Sequence, residues 1–108
     1  MANTFKLKTK ANVGVSTSNV YVVPLATTTV VIGVTLANTS GSSINVGVGV
    51  TRASTDDVKL MKNVPIPQGS SFEFMAGNKV VLETTDTLTA ESDVSNSLDV
   101  ALTIMEIT

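Results

Sequence analysis

The sequence predicts an all-β protein: a single antiparallel β-sandwich of about 8–9 strands, jelly-roll or immunoglobulin-like, with no substantial helix. Three observations carry this. The segment Ile44 to Thr51 reads I-N-V-G-V-G-V-T. Its two-residue alternation puts Ile44, Val46, Val48 and Val50 on one face and Asn45, Gly47, Gly49 and Thr51 on the other. The composition is 43% apolar with valine the commonest residue, and only 15% charged; such a Val/Thr/Ser/Gly-rich chain is far from a helical composition. Turn signals recur roughly every 8–12 residues, the spacing of a sandwich or barrel.

The elements follow in order. Phe5, Leu7, Thr9, Ala11 and Val13 alternate with Lys6, Lys8, Lys10 and Asn12, a first strand with one cationic face. Ser16 to Asn19 turns the chain, and a second strand, Val20 to Val23, stops at Pro24, which cannot donate to a ladder. Thr28 to Asn38 is a third strand, with Val30, Ile32, Val34 and Leu36 on one face. Its other face carries Val31, Gly33, Thr35 and Ala37, also fairly apolar, so the strand is expected to be central and covered on both sides. Asn38 to Ser43 is a polar loop of hairpin length before the strand Ile44 to Arg52. Ala53 to Asp57 turns into a strand over Val58 to Val64, ended by the rigid Pro65-Ile66-Pro67-Gln68-Gly69. Ser71 to Met75 and Lys79 to Glu83 bracket a hairpin turn at Ala76-Gly77-Asn78. A strand over Thr87 to Glu91, a loop over Asp93 to Ser97 and a final strand from Leu98 complete the chain.

The 108 residues fit one domain, large enough for a two-layer core. A formal net charge of −2 argues against phosphate neutralisation, so nucleic acid is not an expected partner. Met1 to Lys10 has no apolar segment of a signal peptide, and no apolar run reaches membrane-spanning length. The expectation is cytosolic synthesis of a soluble, or later assembled, protein with no membrane contact. With no histidine and no cysteine, the commonest general base, thiolate nucleophile and metal ligands are missing. The acids Asp56, Asp57, Glu83 and Asp86 fall in or beside turns, where solvation keeps them ionised rather than tuned for hydrolysis. A non-enzymatic protein without cofactor or metal is the reading.

Two surfaces stand out. Glycine inside a strand marks close approach of another element. The face of Asn45, Gly47, Gly49 and Thr51 is therefore a candidate subunit interface, unless Tyr21, Phe72 or Phe74 of the same chain covers it. Lys6, Lys8 and Lys10 form a candidate electrostatic contact face, or a charged solvent face that discourages edge-to-edge pairing. Tyr21 is the one plausible platform for a sugar.

Several segments resemble a group of small structural proteins of tailed bacteriophages. They are V-Y-V-V-P and T-T-T-V-V-I-G-V-T-L-A-N-T-S-G within Val20 to Gly41, V-P-I-P-Q-G-S-S-F-E-F (Val64 to Phe74), G-N-K-V-V-L-E-T-T-D-T-L-T-A (Gly77 to Ala90) and S-L-D-V-A-L-T-I-M-E-I (Ser97 to Ile107). The chain departs from the group at Thr85, where the pattern has glycine before Asp86. The resemblance implies a β-sandwich virion component in many copies, most simply an oligomeric capsid decoration protein. Its partners would be further copies of itself and the major capsid protein, or neck and tail proteins. The loops Asn38 to Ser43, Ala53 to Asp57 and Asp93 to Ser97 are natural contact points. A host-attachment carbohydrate-binding module is the alternative from another class.

Overall fold

The computed structural model describes residues 3–52, 56–74 and 79–108. Nine strands are present among them: β1 (Asn3–Val13), β2 (Ser18–Val22), β3 (Thr28–Asn38), β4 (Ile44–Thr51), β5 (Val58–Ile66), β6 (Ser71–Phe74), β7 (Val80–Leu82), β8 (Thr87–Ser92) and β9 (Leu98–Ile107). One sheet runs β1-β9-β3-β6, with β7 also paired to β3; the other runs β2-β8-β4-β5. All pairings are antiparallel.

The pairs are nested. β4 pairs β5, β3 pairs β6 and β7, β2 pairs β8, and β1 pairs β9. The chain is thus one long antiparallel hairpin rolled up so that its arms lie alternately in the two sheets. This is a jelly roll, one of the two architectures the sequence left open.

The rolling explains two departures from the expected hairpins. Asn38 to Ser43 joins strands of different sheets and is therefore an arch. It is held by the Asn38 amide, which donates to the carbonyls of Ser42 (2.8 Å), Ile66 (2.9 Å) and Pro67 (3.2 Å). β6 and β7 do not pair with each other; both line up along β3. The turn expected at Ala76-Gly77-Asn78 lies outside the described residues, as do Met75 and Ala53 to Thr55. Pro65 sits inside β5, which the proline tolerates because β5 is a sheet edge.

Two β-bulges decide which side chains face inward. In β1 the register slips between Lys10 and Val13, with Asn12 at φ 58°, and Val13 turns into the core. In β3 it slips between Val31 and Gly33. Val31, Val34 and Leu36 then share the inner face, while Val30, Gly33, Thr35 and Ala37 share the outer one. The strand is central, but only its inner face is covered within the chain. From the two sheets, Leu36, Leu98, Leu102 and Ile104 meet Ile44, Val46, Val48 and Leu88, all fully buried. No buried side-chain nitrogen or oxygen among the described residues lacks a partner.

Candidate functional site

Directly opposed residues of an antiparallel pair project to the same side of the sheet. Lys6 opposes Ile104, Lys8 opposes Leu102 and Lys10 opposes Val100, all three partners core residues. The lysine face therefore turns toward the interior side of the sheet, at the seam where edge strands β1 and β2 approach. Lys6 Nζ lies 2.8 Å from Glu106 Oε1, on buried β9. Tyr21, reaching across from β2, donates its hydroxyl to Glu106 Oε2 and so accepts from Thr29 Oγ1 at 2.8 Å. Lys8 Nζ sits 5.9 Å from the centre of the Tyr21 ring, a cation–π contact.

This network ties the two sheets together and shifts both acids in it. Burial, then the hydrogen bond to Glu106, pushes the Tyr21 hydroxyl up to about 12. The Lys6 ammonium, then Tyr21, holds the Glu106 carboxyl below its ordinary value. Lys6 and Lys8 are therefore engaged within the chain; of the expected contact face, Lys10 is the member with no such assignment. Tyr21 is only 6% exposed, which corrects its reading as a sugar platform.

The glycine face is also occupied by the chain itself. Lys59 of β5 and Glu91 of β8 form an ion pair at 2.8 Å that straddles β4. A Cβ on Gly47 would lie 3.5 Å from Glu91 Cγ and 3.4 Å from the Met61 carbonyl oxygen. One on Gly49 would lie 2.9 Å from the Val58 carbonyl oxygen and 3.4 Å from both Lys59 Cδ and Thr89 Oγ1. Asn45 is held by Asp93, which accepts from its backbone N–H at 2.9 Å and its amide at 3.3 Å. Thr51 is exposed opposite Thr87. An approaching subunit would meet the Lys59–Glu91 pair before it met the glycines.

Asp86 corrects the expectation of solvated turn acids. It is 4% exposed, accepts the Glu83 N–H at 2.9 Å and is paired with Arg52 Nε at 3.1 Å, while Arg52 also pairs with Glu83. It shapes the turn before β8. Asp56 and Asp57 are exposed.

Sequence reasoning missed the outer surface of the five-stranded sheet as a unit. Phe5 opposes Met105, Met105 opposes Val30, and Val30 opposes Val81. These four residues form an apolar row across β1, β9, β3 and β7, with Phe5 70% and Val81 58% exposed. Leu7, 64% exposed, lies beside them. The signal was present in pieces, in the Val30-Val31 and Val80-Val81 pairs and in Phe5 and Leu7. Only the register puts them side by side.

Among solved structures, the chain is similar to a Bacillus protein of the endospore appendages, described as a novel family of disulfide-linked pili. The match has a TM-score of 0.60 and 11% sequence identity, and covers 99% of this chain and 87% of that one. At that identity the likeness is one of fold, a small all-β architecture. No family model matches the chain, and no curated protein does. The fold likeness is to an appendage protein and lends the bacteriophage resemblance no support.

Proposed function

We propose that this protein is a non-enzymatic structural subunit that acts in many copies, and specifically a bacteriophage virion component that decorates and cements a capsid. The observation that carries the structural role is the Phe5–Met105–Val30–Val81 row, since contiguous exposed apolar surface on a small domain marks an interaction site. The virion assignment is supported by the motifs over Val20 to Gly41, Val64 to Phe74, Gly77 to Ala90 and Ser97 to Ile107. The mechanism is linkage: a subunit that binds the assembled shell better than its dissociated parts shifts the equilibrium toward assembly. A neck or tail position uses the same fold and the same surfaces.

The fold likeness to an appendage protein favours a second reading, a filament subunit. These 108 residues contain no cysteine, so a disulfide linkage of the kind named for that family has no counterpart within them. Incubating the purified protein with preformed capsids tests the proposal. Saturable binding at a copy number near that of the shell protein, with raised capsid melting temperature, supports decoration. A handful of copies per particle moves the protein to the neck or tail. Self-assembly into filaments without capsids overturns the decoration reading in favour of the appendage one.

A further inference from the structure

We infer that the outer face of the five-stranded sheet is an interface between two copies of this chain, related by a two-fold axis running across the strands. The inference rests on the subunit reading above and names the surface that serves it.

The face has a ridge and a hollow. The ridge is the Phe5–Met105–Val30–Val81 row. The hollow, about 230 Å³, lies between Thr9, Ala101 and Thr35 on one side and Ala11, Asp99 and Ala37 on the other, and Lys10 also borders it. It opens to solvent and is walled mainly by small side chains, which leaves room for a side chain of a second copy. Between them runs the row Leu7–Thr103–Gly33. A Cβ on Gly33 would meet nothing within 4 Å, so the middle of the face is open.

Phe5 and Thr9 lie two residues to either side of Leu7, about 7 Å each way along the strand. A two-fold axis along the middle row therefore carries the ridge of one copy onto the Thr9–Ala101–Thr35 edge of the other's hollow. Phe5 enters between Thr9 and Ala101 of the second copy, and the two Leu7 side chains meet on the axis. A two-fold interface must be complementary to itself, and a ridge set as far from one line as the near edge of a hollow on its other side meets that requirement.

Charge agrees with this arrangement. Lys6 and Lys8 project to the other side of the sheet, while Lys10 borders the hollow together with Asp99. The acids on the face, Glu73 opposite Thr35 and Asp99 opposite Ala37, lie at the hollow end. The same rotation separates the two copies of Glu73 by about 14 Å along the strand, beyond the screening length of about 8–10 Å. Size agrees as well. From Asp99 to Ile107 and across four strands, the footprint is about 500 Å², so two copies bury about 1,000 Å², the threshold for a specific interface.

Sedimentation velocity of the full chain over a concentration series tests this, with Phe5→Ser to flatten the ridge and Ala101→Trp to fill the hollow. Both positions face outward, and a thermal melt verifies folding. Leu25→Ser is the control, 78% exposed on a turn away from this face. The wild type should dimerise, each face variant should weaken the dimer by about tenfold or more, as un-burying one aromatic side chain requires, and the control should match wild type. As a positive readout, Leu7→Cys in this cysteine-free chain should be captured between copies by a short bis-maleimide, and Leu25→Cys should not.

A wild type that stays monomeric throughout, or variants that dimerise as tightly as wild type, overturns the inference. A monomer that still loads capsids in many copies would leave the subunit reading standing and assign the face to another virion protein. A dimer broken by the face variants but found on no particle or filament would sink the subunit reading and leave the interface.

Discussion

Replacing Gly49 with alanine asks what the bare side of β4 is for. Neither Gly47 nor Gly49 has positive φ, so an L side chain fits the backbone at both. What differs is the space. At Gly49 the new methyl would sit 2.9 Å from the Val58 carbonyl oxygen, and that oxygen belongs to strand backbone, so β5 must move. Overpacking of this kind costs about 1–3 kcal/mol. The loss of glycine's freedom in the unfolded chain offsets about 0.4–1 kcal/mol. The net is a destabilisation of about 1–2 kcal/mol, or about 5–10 °C in melting temperature for a domain of this size. At Gly47 the nearest atoms are at 3.4 and 3.5 Å, ordinary contact distances, so Gly47→Ala should gain about 0.4–1 kcal/mol. Urea denaturation followed by circular dichroism, with Tm as a second measure, reads both. A Gly49→Ala protein as stable as wild type, or an equal loss at both positions, refutes the claim that β5 backbone crowds Gly49 alone.

The remaining predictions concern the seam and one turn. Tyr21 is the chain's one tyrosine, and there is no tryptophan, so tyrosinate absorbance reads it directly. It should titrate near 12 in the folded protein and near 10.0 in urea. Because the folded value is the higher, this contribution to stability is complete below pH 10 and lost as pH rises toward 12; a folded-state midpoint near 10 would contradict the network. Lys6→Ala leaves the Glu106 carboxylate with Tyr21 alone and should cost about 1–2 kcal/mol at neutral pH, less than a fully buried charge-assisted bond because Lys6 is partly exposed. The folded pKa of Glu106 is lowered, so its contribution is present above the ordinary value of 4.5 and lost as pH falls through the folded value. The cost of Lys6→Ala should therefore shrink in acid, and a pH-independent cost would point to lost packing. Thr85 has φ 70°, a strained conformation for a β-branched residue. Thr85→Gly should stabilise the fold by about 0.5–1 kcal/mol, the left-handed penalty less glycine's own entropy, and a lower Tm would overturn that.

Most of the strand content was legible because alternation and turn chemistry are local. Thr28–Asn38 and the start of β4 at Ile44 appear where the pattern places them. Thr85, noted above as a departure where the resemblance has glycine, holds a positive φ of the kind glycine adopts without strain. What local pattern does not contain is which face points inward. Phe5 and Leu7 alternate with lysines, and either set is consistent with an amphipathic strand. The bulge at Asn12 reverses the phase before Val13, so the lysines look inward and the phenylalanine outward. Strict alternation puts Val30 on the face of Val34 and Leu36, and the bulge after Val31 gives that place to Val31 instead. Hairpins were misjudged because loop length does not report whether the next strand joins the same sheet. Tyr21 and Glu106 are 85 residues apart, and nothing in either neighbourhood announces their contact.

The nested pairing has a kinetic consequence. Each arm of the roll closes a longer loop than the one inside it, from β4–β5 out to Asn3 against Ile107, and long-range closure is slow. On that order β1 reaches β9 last. Phe5 joins Met105 and Val30 only at that step, so the full apolar row does not exist until the last pairing is made. A nascent chain therefore carries Phe5, Met105, Val30 and Val81 without the row they form, and the interface proposed above would be open only to chains that have finished folding.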